Sequence, residues 1–478
     1  MLATRSLLLC LAFIMCALPI SGCAEDEPLP ADDLPRVRGG AAAEDLDPAV
    51  GVVEYSLTVS ETELELVEGL STEMWTFNGT SPGPLLQARV GDLVRVHVNN
   101  QLNEPTTVHW HGMRVPVEMD GVVHGDLQAI KPGETFTYEF VAPDAGSFWY
   151  HPHIRSKVQV EAGLYGPIVI HEAEGGEPDV DADRFFVLDD IRLDNDGSIS
   201  AHGTSHPDQM HGRTGNVFLV NGEERASRVY MAPDAVERWR LVNAANARTM
   251  TLRFPGLEVR EIGADGGLWP QDWTRSVEEI ILPVGARAEL EVRLADPEED
   301  GELDLVVLAV NLMGNVYEEE IKLVPVRLDE DLLDSPSTRR GHTANPQQDL
   351  PDFSHGADND HSIEFDAYNG PDGVVWMMNG YSWPDYEPWS VDLGQQQVIE
   401  INNPLGPEHP FHLHGQLFTI LSRNGQPADE PGLRDTVRVE GRGSVVIAVE
   451  FSNPGTWMYH CHILEHADLG MMALVEVL

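Results

Sequence analysis

The sequence predicts an all-β protein of three similar domains, each a sandwich or a barrel, and three observations carry that expectation. Short runs at 93–98, 135–141 and 445–451 alternate apolar and polar residues in the period-two manner of half-buried strands. No long segment sustains helical periodicity, and turn signals such as Pro132-Gly133 and Asn453-Pro454-Gly455 punctuate the runs. One domain-sized pattern also occurs at both ends of the chain, with a trace of it between. Many short strands at such spacing build sandwiches or barrels.

The repeat is specific. Asn99-Asn100 stands nine residues before His109-Trp110-His111-Gly112, counted from Asn100. Asn402-Asn403 stands nine before His412-Leu413-His414-Gly415, counted from Asn403. Further along, Phe140…Gly146…Tyr150-His151-Pro152-His153-Ile154 mirrors Phe451…Gly455…Tyr459-His460-Cys461-His462-Ile463. Trp239-Arg240-Leu241-Val242-Asn243 suggests a middle copy, but no H-x-H follows it. The middle copy is expected to keep the scaffold and lack metal groups. The expected domains are 50–172, 181–328 and 360–478, with a polar connector over 329–359. A chain of 478 residues is too long for one hydrophobic core, which agrees.

Composition narrows the partners. Forty-two per cent apolar residues with 43 Gly and 33 Pro suit a strand-and-turn protein. Thirty Lys plus Arg against 79 Asp plus Glu leave a formal charge of −49, which excludes nucleic acid, since phosphate binding needs a basic face. The charge serves solubility first and would also steer cationic substrates. Arg5 precedes an apolar run, 7–19, too short to cross a bilayer, and Ile20-Ser21-Gly22-Cys23 resembles a bacterial lipobox. Residues 1–22 are therefore expected to be a lipoprotein signal peptide, with Cys23 acylated and 23–49 a flexible tether. The protein would be exported, held to a bacterial membrane only by that lipid anchor, and face the periplasm or the cell exterior. Cys10 and Cys16 lie in the signal, so the mature body holds one thiol, Cys461. Exported chains usually pair their cysteines, and a lone one needs a use.

Ten of the 19 histidines fall in four clusters: His109/His111, His151/His153, His409/His412/His414 and His460/His462/His466. Residues i and i+2 of a strand share a face, so each H-x-H aims two imidazoles at one spot. A lone H-x-H is commonly a surface accident or a zinc pair. Two such pairs at each end of the chain could converge if the first and third domains pack together, giving eight imidazoles, enough for three metal ions. Cys461 would then face the opposite way, into its own domain, where it could join His409, His466 and Met471. Thiolate, two imidazoles and a weak axial thioether are the electron-transfer copper set. One peptide linkage would connect the Cys461 site to a cluster imidazole.

The blocks HWHG, HPH, HPFHLHG and HCHILEHADLGMM resemble the copper signatures of the multicopper oxidases, from about residue 50 to the end and in the family's order. The resemblance implies three cupredoxin-like Greek-key β-sandwich domains and four copper ions per chain. It implies type 1 copper on His409, Cys461, His466 and Met471, the last being five residues after His466. Type 2 copper would sit on His109 and His412, and the type 3 pair on His111, His151, His153, His414, His460 and His462. O₂ and a small reducing substrate would be the partners of a monomer. The substrate would dock at an exposed edge of a type 1 histidine, and Cys461 would carry the electron to the cluster.

Asp120, eleven residues after His109, occupies a position where bacterial laccase-like members carry an acidic residue that helps protonate oxygen. Several relatives also carry Glu directly after the last type 1 histidine; here that residue is Ala467, and Glu465 is expected to point elsewhere. His202, His206, Met210 and His211 form a further cluster that reads as a solvated loop or an accessory copper site. His97, His124, His171, His342, His355 and His361 read as structural. The expected activity is laccase-like, with phenols or aromatic amines as donors. The rival is a metallo-oxidase acting on Fe(II), Mn(II) or Cu(I), although 383–409 contains no Met of the kind that copper-efflux members carry. A copper-free structural relative would have lost the ligands this chain keeps.

Overall fold

The computed structural model describes residues 37–124, 129–173, 176–202, 205–224, 228–296, 298–310, 316–329 and 360–478. The signal peptide, Cys23, His342, His355 and nearly all of the connector lie outside them. Six sheets fall into three pairs, each pair drawn from one span of the chain. Strands 52–171 build two four-stranded sheets, strands 361–477 a six- and a five-stranded sheet. Strands 182–328 build an eight- and a five-stranded sheet, and the former also takes in Val37–Arg38. Each pair encloses its own apolar core.

That short strand corrects the tether. Val37 pairs in parallel with Asp183 and is buried, and Ala43 N donates to Leu85 O at 2.8 Å. Residues 37–43 are thus bound to the body, well short of position 49. The surrounding polar composition concealed one buried valine.

Buried asparagines reveal how the repeat works. Asn100 Nδ2 donates to Glu104 O and Ile130 O while its Oδ1 accepts from Leu102 N. Asn403 bonds Pro407 O, Val439 O and Leu405 N in the same way, and Asn243 bonds Arg248 O, Leu282 O and Ala245 N. A second set, Asn78, Asn221 and Asn379, sits at φ 54, 51 and 51°, each before a glycine. Each ties the turn to a neighbouring strand through one N–H and one carbonyl: Thr58 and Ser56, Val187 and Phe185, Glu364 and Ser362. Asn tolerates this left-handed backbone and supplies both donor and acceptor.

The seams between spans are partly apolar and partly ionic. Trp149 and Tyr165 meet Phe185, Val242 and Leu464 in one buried cluster. Strand Glu237–Asn243 is buried along its whole length, arginines included. Across the seam to the first span, Arg238 bonds Glu172 at 2.7 Å and Arg240 Nη1 donates to Ser147 Oγ at 3.2 Å, while Glu289 and Asp183 of the middle span hold the same two guanidinium groups from their own side. Buried pairs like these add little net stability, because desolvation offsets the Coulomb gain, whereas losing one partner strands a buried charge.

Candidate metal centre

Strand pairing places the histidines. His109 lies opposite His151 on one sheet, and His412 opposite His460 on another. The two sheets belong to different spans, yet their rings interleave: His109 stacks on His414 at 4.0 Å and His111 on His412 at 3.8 Å. The eight imidazoles therefore form one cluster between the first and third spans. Their nitrogens gather into three groups: His111/His151/His462, His153/His414/His460, and His109/His412 with His111.

The hydrogen bonds decide which nitrogen of each ring is free. Nδ1 of His109, His151, His412 and His460 faces the backbone carbonyl of Asp120, Pro152, Asp435 and Cys461, respectively, at 2.8–3.1 Å. A carbonyl only accepts, so the proton sits on Nδ1 and the Nε2 lone pair points inward. His111 is reversed: its Nε2 faces Asp435 Oδ1 at 3.2 Å and Thr436 Oγ1 at 3.3 Å, leaving Nδ1 free. Nε2 of His109, His151 and His412, Nδ1 of His111 and both nitrogens of His462 are buried without a hydrogen-bond partner. Each orphan of this kind costs about 1–3 kcal/mol unless something binds it. His414 donates its Nδ1 proton to Asp120 Oδ2 at 2.9 Å, so its Nε2 presents a lone pair to that of His460 3.0 Å away. Facing lone pairs repel, and a cation between them removes the repulsion. Burial and crowding hold His111, His151, His153, His414 and His462 well below the usual histidine range and His460 at about 3, so these rings are neutral, as metal binding needs. The residues fit metal ions.

The second group lies inside the third span. Cys461 Sγ is 3.5 Å from His409 Nδ1 and 3.7 Å from His466 Nδ1, and the two nitrogens are 3.1 Å apart. Cys461 faces the core away from its flanking histidines, as alternation along strand Gly455–Cys461 requires. Burial pushes its thiol far up, so a bound metal would have to displace the proton. Met471 is fully buried in the same core, and its carbonyl accepts from Cys461 N at 3.1 Å.

A family model described as multicopper oxidase matches residues 58–175, and a second of the same description matches 343–478. The chain is 30% identical to multicopper oxidase mco of Staphylococcus aureus, covering 89% of each. It matches the structure of a bacterial laccase-like multicopper oxidase from Ochrobactrum sp. with a TM-score of 0.79 at 27% identity, covering 93% of this chain and 100% of that one. A Campylobacter jejuni multicopper oxidase, described as a metallo-oxidase, matches with a TM-score of 0.77 at 28% identity, covering 92% and 94%. The chain belongs to the multicopper oxidases. Its three pairs of sheets are the cupredoxin-type sandwiches of that family, and copper is the metal the family implies for these histidines.

One expectation about this multicopper oxidase fails. His409 and His466 are both 0% exposed, so neither ring expected to hold type 1 copper offers an edge to solvent. Trp376 stacks on His466 at 3.9 Å. Helix His206–His211 of the middle span packs beside them, with Gln209 O accepting from Trp376 Nε1 at 2.8 Å and Met210 against the core. Nothing in the sequence told which loop would cover the site.

Asp120 is buried between the spans, holding His414 through its carboxylate and His109 through its carbonyl. Glu465 turns toward the middle span, where Oε2 accepts from Arg213 N at 2.9 Å, and burial raises its carboxyl to about 7. His202, His206 and His211 form no metal-binding group among the described residues, and His206 instead bonds Asn369 Oδ1. His97 bonds Glu54 and Thr137, His171 bonds Glu177 and Gln87, and His361 stacks on Trp389. Neither they nor His124 join such a group. Met472 is partly buried against Val122, Met458 and Leu474. Sequence reading missed Asp435, Thr436, Asp265 and Arg287, all buried beside the cluster. The available signal was strand register, since Thr436 lies opposite His412.

Proposed function

We propose that this multicopper oxidase couples one-electron oxidation of phenolic or aromatic amine donors to the four-electron reduction of O₂ to two waters. Four donations and four protons balance each O₂. The carrying observation is that Cys461 stands between His460 and His462 while its sulfur meets His409 and His466. One strand therefore serves both groups. Copper when bound supplies the one-electron steps and the binding of O₂. On this reading His409, Cys461, His466 and Met471 hold type 1 copper, and His109 and His412 hold type 2. His111/His151/His462 and His153/His414/His460 each hold one ion of the type 3 pair, for four ions per chain. Asp120 is the proton-handling group, and its Oδ2 is already bonded to a cluster ring.

Burial of both type 1 rings favours a second reading, a metallo-oxidase whose donor is Fe(II), Mn(II) or Cu(I). Steady-state comparison of a phenolic dye with these three ions on copper-loaded protein separates the two. A kcat/KM highest for the dye supports the first reading, and one highest for an ion overturns it. The chain is further proposed to act as a monomer anchored outside the cytoplasm by lipid on Cys23. Cys23→Ala should leave it in the soluble fraction or unprocessed, and an unacylated wild-type N-terminus elsewhere would exclude the anchor.

A further inference from the structure

We infer that Arg287, from the middle span that holds no cluster histidine, is a positioning residue for the type 2 end of the cluster. This rests on the proposed type 2 ligands His109 and His412. Arg287 is fully buried and all five of its N–H donors are used. Nε donates to Ser147 O at 2.9 Å. Nη1 donates to Gly285 O at 3.2 Å and Asp435 Oδ1 at 2.8 Å, and Nη2 to Asp265 O at 3.1 Å and Asp435 Oδ2 at 2.5 Å. These acceptors come from all three spans. A planar fork can make such a set, whereas an ammonium with three donors cannot.

What Arg287 holds is the residue that sets two ligand rings. Asp435 O accepts from His412 Nδ1 at 2.9 Å, which frees His412 Nε2. Asp435 Oδ1 lies 3.2 Å from His111 Nε2, which frees His111 Nδ1. Thr436 Oγ1 donates to the same Oδ1 at 2.8 Å. Asp265 completes the frame: Oδ1 accepts from Arg287 N at 2.7 Å, and Oδ2 accepts from Thr436 N at 3.2 Å. The turn leading to Arg287 also touches the rings. A Cβ on Gly285, whose φ is +84°, would lie 2.8 Å from His462 Cδ2 and 3.0 Å from His111 Cε1. The middle span thus reaches the cluster through one bidentate clamp and one glycine turn.

The test is electron paramagnetic resonance and copper analysis on loaded Arg287→Lys and Asp435→Asn, with Arg240→Lys as the control. Arg240 is equally buried and bidentate on Asp183, but touches no cluster histidine or Asp435. Loss of a partner behind metal ligands typically weakens binding about 10–100-fold. Both test variants should therefore lose the type 2 signal under limiting copper and keep the blue type 1 band, which also reports a folded third span. Arg240→Lys should lower the melting temperature and keep the type 2 signal. If Arg287→Lys and Asp435→Asn bind type 2 copper like wild type, or if Arg240→Lys loses it equally, the positioning role is wrong. A wild type without any type 2 signal would instead overturn the ligand assignment beneath it.

Discussion

The middle sandwich and the two outer ones fold on the same asparagines yet present different chemistry at the equivalent place. Asn100, Asn243 and Asn403 make the same three bonds. After Asn100 and Asn403 the chain returns as a strand bearing H-x-H. After Asn243 it returns as Met250–Arg253, with no histidine. The middle span is not idle, because Arg238, Arg240, Glu289 and Arg287 bond residues of the outer spans and its helix lies beside His466. Scaffold and ligands are thus separable within one repeat. Losing the ligands removes metal binding and leaves the sandwich, while the seams fix where the outer ligand sets meet.

The strongest way to break this comparison is to strip a ligand from an outer span. Cys461→Ser should abolish the blue absorption and donor oxidation while the cluster still binds copper. His109→Ala should keep the blue band and stop O₂ consumption. Visible spectra, copper content and oxygen uptake on both variants check this, and normal turnover in Cys461→Ser would remove it as the electron entry. A smaller effect is expected at Asp120. Asp120→Asn keeps size and hydrogen-bonding capacity but removes the carboxylate bonded to His414. General acid–base contributions run at about 10²–10⁴-fold, so O₂ turnover should fall at least about tenfold with copper content unchanged. Anaerobic bleaching of the blue band by donor should stay near wild type, and unchanged turnover would assign the protons to another group.

These residues show what a sequence discloses. Alternation and spacing made the ligands legible, because H-x-H is local and each ring's direction follows from the strand. The buried clamps were not legible. Arg287 and Asp435 are 148 positions apart, and each reads alone as a solvated charge. Val37 in a polar stretch and the helix beside His466 share that difficulty: burial depends on a distant partner.

A third test contrasts histidines that gather around a metal group with one that does not. His171 ends a strand of the first span, its Nδ1 3.0 Å from Glu177 and its Nε2 3.1 Å from Gln87. Burial lowers it from 6.5 to about 3, so despite the nearby carboxylate it is neutral when folded. The unfolded chain then takes up a proton that the folded one refuses. His171 therefore contributes stability above its unfolded value of 6.5, and that contribution is lost as pH falls toward 3. Between pH 7.5 and about 5 the loss is about 2 kcal/mol. Melting temperatures at about pH 7.5 and 5 should differ less in His171→Gln than in wild type, and an equal drop would show that the folded ring takes up its proton as readily as the unfolded one.

The smallest expected effect sharpens the comparison most. Asn243→Ala, Asn100→Ala and Asn403→Ala each remove the same bonds from a buried site, which typically costs about 1–3 kcal/mol. The three should therefore lower the melting temperature by similar amounts. Their copper content should differ. Asn100 and Asn403 hold the carbonyls of Glu104 and Pro407, in the turns that lead into strands His109–His111 and His409–Leu413, so relaxing them displaces ligands. Asn243 holds the carbonyl of Arg248, leading into Met250–Arg253, which carries no histidine, and that of Leu282, ahead of the Gly285 turn, so that variant should lose less copper than the other two and only from the end of the cluster that Arg287 holds. Parallel melting curves and metal analysis on the three proteins decide it. If Asn243→Ala loses copper as readily as the other two, the scaffold of the middle span and the ligands of the outer ones are not separable after all.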